Sequence, residues 1–331
     1  MSTSTTKKTL LAGDIGGTKT LLRLSEDGRV LAERRFESAA YAGLEPIIAD
    51  FLRDCPSQAI AAACFGVAGP VAGGQANITN LPWRIDAAAI AAEFSIPEVR
   101  LINDFQAVAY GIEALGADDL LTLQAGLPLE QGVRAVIGAG TGLGEGFMVW
   151  QSSQYEALPS EGSHADFAPA DMRQAELLRY LAARFGHVSY ERLVSGPGLA
   201  NIFDFLCDSE EGRASPELLA AIEEGDPSAA ISRFALAGKD RLATEALDLF
   251  IRIYGAEAGN LALKVLARGG VYVAGGIAPQ IIEKMKDGRF LSAFADKGRY
   301  AELLATIPVY VVLNPNVGLM GAERVAGRLQ G

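Results

Sequence analysis

Histidine and cysteine are scarce in this chain, which has two and three of them among its 331 residues. The three cysteines, Cys55, Cys64 and Cys207, are too few and too widely spaced for a disulfide framework or a zinc knuckle. Unpaired thiols are typical of proteins in a reducing compartment. We therefore expect a cytoplasmic protein without a structural zinc site.

Positive charge is also in short supply. The chain has 29 lysines and arginines against 40 aspartates and glutamates, which gives a net charge of −11. This balance argues against nucleic acid and against a membrane surface as binding partners. It still permits an anionic substrate, because clustered backbone N–H groups bind phosphate without any net positive charge.

No uninterrupted apolar run is long enough to span a bilayer. The longest candidate, residues 242–267, is interrupted by five charged residues and predicts a helix of a water-soluble domain, with a kink at Gly255. The N-terminal residues 1–9 are polar and lack an apolar stretch followed by a cleavage site. We therefore expect no signal peptide.

The length of the chain suits two compact domains. Short apolar segments that end in glycine-rich turns alternate with helical patterns, which predicts an α/β protein with mixed sheets. The predicted boundary lies near residues 114–117, and we expect the last strand and helix to return to the first domain. The predicted domains are 1–115 together with about 305–331, and 116–304.

Two glycine-rich loops each join a pair of predicted strands, which indicates an internal duplication that grips a nucleotide phosphate. Neither loop is a Walker A motif or a dinucleotide fingerprint. Glycines nevertheless let the backbone N–H groups approach a phosphate, and threonines add hydroxyl donors. The alternative is that both are only tight hairpin turns. The loop residues are Gly13, Asp14, Ile15, Gly16, Gly17 and Thr18 in the first, and Gly140, Thr141 and Gly142 in the second.

Asp14 and Asp104 are the two carboxylates expected at the carboxyl edge of the first sheet. Asp14 follows the first strand and suits magnesium held through water, since that ion keeps much of its hydration. Asn103 and Asp104 join a predicted strand to a predicted helix, at the edge where open α/β sheets bind ligands. Asp104 there can accept a proton from a substrate hydroxyl, and Asn103 can hold that substrate. The alternative is that Asp104 only caps the helix.

Glu161 and His164 suit a ligand with several adjacent hydroxyl groups, because a carboxylate accepts hydrogen bonds and an imidazole can donate or accept them. Each buried hydroxyl of a polyol needs such a partner. Glu191 adds a further acceptor, unless it lies on a solvated helix face. His187 has no supporting context and is interpreted as structural.

These motifs together resemble those of the bacterial glucokinases, a zinc-free family of the hexokinase-like, actin-fold superfamily. The matching segments occur in the family's order over nearly the whole chain, without a departure from its pattern. They are Gly13-Asp14-Ile15-Gly16-Gly17-Thr18, Phe65-Gly66-Val67-Ala68-Gly69-Pro70, Asn80-Leu81-Pro82-Trp83, Leu101-Ile102-Asn103-Asp104-Phe105, Gly140-Thr141-Gly142-Leu143-Gly144, Glu161-Gly162-Ser163-His164, Tyr190-Glu191-Arg192-Leu193-Val194-Ser195-Gly196-Pro197-Gly198 and Ala274-Gly275-Gly276-Ile277.

The resemblance implies an actin-like (ribonuclease H-like) two-domain sugar-kinase fold with duplicated mixed-sheet cores and an active-site cleft. It implies a glucokinase activity, the ATP-dependent phosphorylation of glucose to glucose 6-phosphate that begins glycolysis, with Mg2+ as cofactor. A cytoplasmic homodimer is expected by the same resemblance.

The resemblance also assigns roles to single residues. It makes Asp104 the catalytic base and gives Asn103, Asp104, Glu161, His164 and Glu191 contacts with the sugar hydroxyls. It makes residues 13–18 and 140–142 the phosphate loops, with Gly275 and Gly276 on the adenosine side.

Several alternatives remain compatible with the sequence. The related ROK sugar kinases carry a cysteine-rich zinc motif, whereas no cysteine follows His164 until Cys207. ROK repressors add a helix-turn-helix, for which the few residues before the first strand leave no room. The same fold also suits a kinase for mannose, fructose or an N-acetylated amino sugar, and a non-catalytic sugar sensor.

Overall fold

The structure is a computed structural model that describes residues 8–56, 59–78, 81–209 and 213–330. Thr79 and Asn80, which belong to predicted segments, lie outside the described residues, as do residues 1–7 of the polar N-terminus.

Within these ranges the chain forms 14 strands and 12 α-helices. The strands are β1 (Thr9–Ile15), β2 (Lys19–Glu26), β3 (Arg29–Glu37), β4 (Ile60–Val67), β5 (Val71–Ala72), β6 (Gln75–Asn77), β7 (Arg84–Asp86), β8 (Glu98–Asn103), β9 (Leu120–Gln124), β10 (Arg134–Ala139), β11 (Leu143–Gln151), β12 (Gln154–Ser160), β13 (Gly270–Ala274) and β14 (Val309–Val312). The helices are α1 (Leu44–Arg53), α2 (Ala87–Phe94), α3 (Asp104–Gly111), α4 (Met172–Phe185), α5 (Gly196–Asp208), α6 (Pro216–Glu224), α7 (Pro227–Leu236), α8 (Arg241–Val265), α9 (Ile282–Met285), α10 (Arg289–Ala295), α11 (Ala301–Thr306) and α12 (Val317–Arg328).

Two mixed sheets share one strand order. The first sheet runs β3-β2-β1-β4-β8, with β1, β4 and β8 parallel and the other two strands antiparallel to their neighbours. The second runs β12-β11-β10-β13-β14-β9, with β10, β13 and β14 parallel. Its strands β11 and β9 are antiparallel to β10 and β14. The predicted duplication of a mixed-sheet core is therefore confirmed.

The first compact unit comprises the described residues up to Ala117, the segment Tyr155–Pro159 and the residues from Asn314 onward. Leu11, Leu22 and Phe65 fill its core and are fully buried. The helix α12 packs closely against α3. Gly321 of α12 lies so near the carbonyl of Ala107 that any side chain there would overlap it. This packing supports the helix that begins at Asp104.

The second unit comprises residues 118–154 and 160–313, with the long helix α8 in its core. This helix runs without interruption through Gly255. Gly255 allows the backbone of α10 to approach, because a side chain there would overlap the carbonyl of Phe290.

Two differences from the sequence pattern concern the second unit. The pattern predicts a helix over residues 189–206, but a short 3-10 turn (Tyr190–Arg192) ends before α5 begins at Gly196. Ser195 causes the restart by capping α5, with its Oγ accepting from the Gly198 N–H at 3.0 Å. The strand β14 pairs with β13 and β9, so the chain enters the first unit at Asn314, whereas the sequence places this crossing near residue 305.

None of the helices in the described ranges combines the length and the apolar character needed to cross a membrane.

Candidate active site

The first glycine-rich loop lies between β1 and β2 and is anchored by a buried serine. The Gly16 N–H donates to the Lys19 carbonyl at 2.9 Å, which closes the turn. The Ser38 hydroxyl donates to the Gly16 carbonyl at 2.8 Å, and the Ser38 N–H donates to the Thr18 carbonyl at 3.0 Å. Ser38 is fully buried and Thr18 is exposed. The backbone of the loop is therefore fixed by the buried Ser38, while Thr18 at its tip stays accessible.

Asn103 and Asp104 lie where β8 meets α3, as predicted. The capping residue is Asn103, whose Oδ1 accepts from the N–H groups of Phe105 and Gln106 at 2.9 and 3.2 Å. Its Nδ2 donates to the Gly69 carbonyl at 3.3 Å. The carboxylate of Asp104 accepts from Phe105 at 2.9 Å and is only half-buried. Because Asn103 satisfies the end of the helix, Asp104 is not the N-cap.

Asp14 and Asp104 place two negative charges in one neighbourhood of the first unit. Burial raises the pKa of Asp14 to about 6, and the charge of Asp104 contributes to this rise. Two carboxylates that repel each other are stabilised by a nearby cation. Mg2+ takes one or two protein carboxylates and completes its shell with water and substrate phosphates. Asp14 and Asp104 provide two carboxylates of this kind. The described residues contain no cluster of three or more metal-ligating side chains.

The second glycine-rich loop joins β10 to β11 and is held by two helices. The Gly140 N–H donates to the Gly142 carbonyl at 2.8 Å. The Gly140 carbonyl accepts from the N–H of Gly196, the first residue of α5, at 2.8 Å. Just before the loop, the Ala139 N–H donates to the hydroxyl oxygen of Tyr254, a fully buried residue of α8, at 3.1 Å.

Glu191 is built into this second hairpin. Its Oε2 accepts from the Leu143 N–H at 3.0 Å, and a Cβ added at Gly142 would lie 2.6 Å from the same oxygen. The Ser195 hydroxyl donates to the Glu191 carbonyl at 2.8 Å. Glu191 is half-buried in a 3-10 turn, so the alternative of a solvated helix face is wrong.

Glu161 precedes a short 3-10 turn (Gly162–His164) that ends at His164, and both side chains face solvent. Their exposed fractions are 77% and 57%, and His164 Nε2 lies 3.9 Å from Glu161 Oε2. The exposed His187 supports this turn, because its Nε2 donates to the His164 carbonyl at 3.0 Å. The two functional groups are therefore accessible to a polar ligand, and the structural interpretation of His187 is consistent with its contact.

Gly275 and Gly276 follow β13 and differ in their surroundings. Gly275 has a φ of +82°, and a side chain there would overlap the carbonyl of Ala139 at the base of the second loop. No atom lies within 4 Å of a Cβ added at Gly276. Gly275 is thus required for the close approach of two loops, whereas Gly276 borders open space.

The predicted residues form two sets, one in each unit. The first unit holds residues 13–18 with Asn103 and Asp104, and the second holds the remaining predicted residues. The supporting residues Ser38 and Tyr254 were missed, because a single buried serine or a tyrosine in an apolar helix carries no local signal. Glu145 did carry one: it is an acid two residues after the buried Leu143, on the same face of a strand.

The sequence profile of the family described as Glucokinase matches residues 11–329. This chain belongs to the glucokinase family. A glucokinase of Nostoc sp. is 48% identical over 340 residues, an alignment that covers 97% of this chain and 99% of the relative.

Solved glucokinase structures agree with this assignment. The crystal structure of a glucokinase from an Antarctic psychrotroph superimposes with a TM-score of 0.85 at 30% identity, covering 97% of this chain and 99% of that one. A glucokinase of Balamuthia mandrillaris in complex with glucose has a TM-score of 0.82 at 22% identity, with 98% and 95% covered, and supports the fold. The chain therefore has the actin-like fold of the sugar kinases, as the sequence predicts.

Proposed function

We propose that Asp104 is the general base in the reaction that this glucokinase-family enzyme catalyses, the ATP-dependent phosphorylation of D-glucose to glucose 6-phosphate. The observation that supports this role is that Asn103, and not Asp104, caps the helix that follows β8. Asn103 caps α3, and the half-buried carboxylate of Asp104 adjoins Asp14 without serving as the cap. An accessible carboxylate beside a phosphate-binding hairpin suits proton transfer from a hydroxyl that attacks a phosphoryl group.

The remaining predicted residues take the other roles in this proposal. Asn103, Glu161, His164 and Glu191 hold the sugar hydroxyls, and their exposed or half-buried side chains are compatible with such contacts. The N–H groups and threonine hydroxyls of residues 13–18 and 140–142 hold the nucleotide phosphates. Gly275 and Gly276 lie on the adenosine side, where the open space at Gly276 leaves room for a ligand.

Asp14 is the residue that we propose to hold Mg2+, through water. Burial and the charge of Asp104 both disfavour the ionised form of Asp14, and a cation there offsets both effects. When bound, Mg2+ supplies positive charge that stabilises the transferring phosphoryl group.

The proposed mechanism is an in-line transfer. Asp104 accepts the proton of the sugar's 6-hydroxyl as that oxygen attacks the γ-phosphorus, the bond to the β-phosphate oxygen breaks, and ADP leaves. The backbone N–H groups of the two loops stabilise the charge of the transferring group without reorganising. Catalysis thus depends chiefly on positioning and electrostatics.

A cytoplasmic location and a homodimer are also proposed. The free thiols of Cys55, Cys64 and Cys207 support a reducing compartment. The homodimer rests on the family resemblance and is tested by sedimentation equilibrium of the purified chain.

The test is a coupled assay of ADP release with Mg-ATP and five conditions: glucose, mannose, fructose, N-acetylglucosamine and no sugar. We expect the highest kcat/KM with glucose and little ADP release without sugar. If another sugar gives the highest kcat/KM, the proposed mechanism stands and that sugar is the substrate. Sugar binding by calorimetry without turnover would instead favour the non-catalytic sensor.

A further inference from the structure

A pair of buried glutamates, Glu145 and Glu257, lies in the second unit beneath the residues proposed to hold the sugar. Glu145 belongs to β11 and is 2% exposed, and Glu257 belongs to α8 and is fully buried. Neither carboxyl oxygen of Glu145 has a hydrogen-bond partner among the groups that the structure describes. None of the roles proposed above uses either residue. Burying carboxyl groups destabilises the fold, so the presence of this pair needs another explanation.

Two polar side chains beside the pair contact Glu257 directly. Its Oε2 accepts from Asn260 Nδ2 at 2.8 Å, and its Oε1 forms an ion pair with Lys264 Nζ at 3.2 Å. A second lysine, Lys297, donates to the Ala256 carbonyl at 2.9 Å, and burial lowers its pKa while Glu257 raises it. The cluster therefore provides Glu257 with hydrogen-bond donors, whereas the carboxyl group of Glu145 interacts with that of Glu257.

A proton on Glu145 resolves this imbalance. Burial raises the pKa of Glu145 to about 8, the negative charge of Glu257 adds to the rise, and Lys264 opposes it. The same surroundings raise the pKa of Tyr190 to about 12, so this hydroxyl stays neutral. The hydroxyl of Tyr254 also stays neutral, because burial raises its pKa. Burial and the neighbouring carboxylate of Glu257 thus both favour a proton on Glu145, and a neutral acid beside a carboxylate can share its proton with it.

The pair contacts both parts of the chain that contain the proposed sugar ligands, residues 161–164 and residues 190–191, which we call the sugar segments. A side chain at Gly162 would overlap Oε2 of Glu145, so the carboxyl group lies directly against the backbone between Glu161 and His164. The Gly162 N–H donates to Ser160 Oγ at 3.0 Å, which fixes this backbone over the carboxyl group.

The second sugar segment is connected to the pair through Asn260. This amide donates both to Glu257 and to the hydroxyl oxygen of Tyr190, the latter at 3.0 Å. Tyr190 is 3% exposed and directly precedes Glu191. A second negative charge on Glu145 would therefore be created against Gly162 and close to the groups that hold Tyr190.

We propose that Glu145 is a positioning residue that shares its proton with Glu257, and that ionisation of Glu145 displaces the sugar segments and weakens glucose binding. The inference rests on the proposed function, because it assigns the sugar ligands to these segments. It adds a pH-dependent control of sugar affinity that does not involve Asp104.

The first experiment measures kcat and both KM values of the wild type, Glu145→Gln and the surface control Glu283→Gln between pH 6.5 and 9.5. Glu283 has an 83% exposed side chain in the same unit. With the pKa of Glu145 at about 8, the fraction of enzyme in which Glu145 is protonated falls about tenfold from pH 7 to pH 9. If only this protonated form binds glucose well, the glucose KM of the wild type rises about 10-fold over the same range. The KM for ATP should change much less.

Glu145→Gln keeps the shape of the side chain and cannot ionise. We expect its glucose KM to stay within about twofold over the same pH range, whereas Glu283→Gln follows the wild type. Glu145→Ala should raise the glucose KM at pH 7, because it removes the support of Gly162. Identical pH profiles of glucose KM in the wild type and Glu145→Gln overturn the proposal.

A second readout does not depend on activity. The infrared difference spectrum of wild type minus Glu145→Gln at pH 7 should contain the carbonyl band of a protonated carboxylic acid, which disappears by pH 9.5. Absence of this band at pH 7 overturns the shared proton even if glucose turnover is normal. If the wild type turns over no glucose at any pH, the proposed function fails, and the infrared band still decides whether Glu145 carries the proton.

Discussion

The two glycine-rich hairpins occupy equivalent positions in sheets of the same strand order, but their surroundings differ in charge. The β1–β2 hairpin contains Asp14, whose pKa is raised by burial and by the charge of Asp104. The β10–β11 loop contains no acid, and the nearest one, Glu191, is bound to the backbone of Leu143. The two units thus share the strand order around the hairpin but differ in where they place acidic residues.

This difference indicates how one framework provides two functions. Backbone N–H groups of a hairpin bind phosphate in either unit, because this property depends on glycine and strand pairing. Proton transfer and metal binding need carboxylates, and the first hairpin has Asp14 within it and Asp104 near it. In the second unit the acids support the loops: Glu191 holds the hairpin, and the buried Glu145 lies under Gly162.

The strongest test of this asymmetry is Asp104→Ala. We expect kcat for glucose to fall by at least ~100-fold, the lower range for loss of a general base, with the fold intact. Glu98→Ala, at the exposed first position of β8, the strand that ends just before Asp104, is the matched control and should keep wild-type kcat. The coupled ADP assay measures both. Activity of Asp104→Ala within a few-fold of the wild type would contradict the assignment.

Gly275→Ala tests the close approach of β13 to the second loop. We expect a loss of about 2–4 kcal/mol in the free energy of unfolding, because the left-handed backbone alone costs ~1–2 kcal/mol and the new side chain meets the Ala139 carbonyl. Gly276→Ala meets nothing within 4 Å and should keep wild-type stability. Urea unfolding compares the two variants, and equal midpoints would show that the approach of these loops is not what requires glycine.

Local patterns in the sequence predicted much of the fold and of the candidate site. Apolar strands that end in glycine-rich turns specify the two hairpins, because strand period and turn chemistry act over a few neighbouring residues. The junction of β8 and α3 is local in the same way. The choice of cap was not predictable, since Asn103 and Asp104 are both good N-caps and the contact of Asn103 with the distant Gly69 favours the former.

Features that depend on distant parts of the chain could not be predicted. The sequence gives no sign that Gly255 lies against the backbone of Phe290 in another helix. The support of the second loop by Tyr254 joins residues far apart in sequence. The interaction of Glu145 with Glu257 likewise joins residues far apart in sequence.

Asp14→Asn tests, through the pH dependence of stability, the cost of keeping the Asp14 carboxylate buried and near Asp104. The folded pKa of about 6 lies above the ordinary 3.8, so the folded state binds more protons between these values and stability falls as pH rises through this window. The variant lacks this penalty. Without nucleotide, we expect it to match the wild type near pH 4 and to exceed its unfolding free energy by about 1–3 kcal/mol at pH 7.

Urea titrations at several pH values measure this difference, with the exposed Glu93→Gln as a control for loss of one negative charge. A stability difference for Asp14→Asn that does not change with pH would contradict the shifted pKa. The variant should also need more Mg2+ for half-maximal activity if Asp14 holds the ion.

The smallest expected effect compares the polar anchors of the two loops. Ser38→Ala removes the hydroxyl that donates to the Gly16 carbonyl, and Tyr254→Phe removes the acceptor of the Ala139 N–H. Each should lower the free energy of unfolding by about 1 kcal/mol, the usual net value of a buried hydrogen bond. Thermal and urea unfolding at pH 7 measure both. A neutral Ser38→Ala beside a destabilised Tyr254→Phe would mean that glycine and strand pairing alone hold the first loop, while the second depends on its helix.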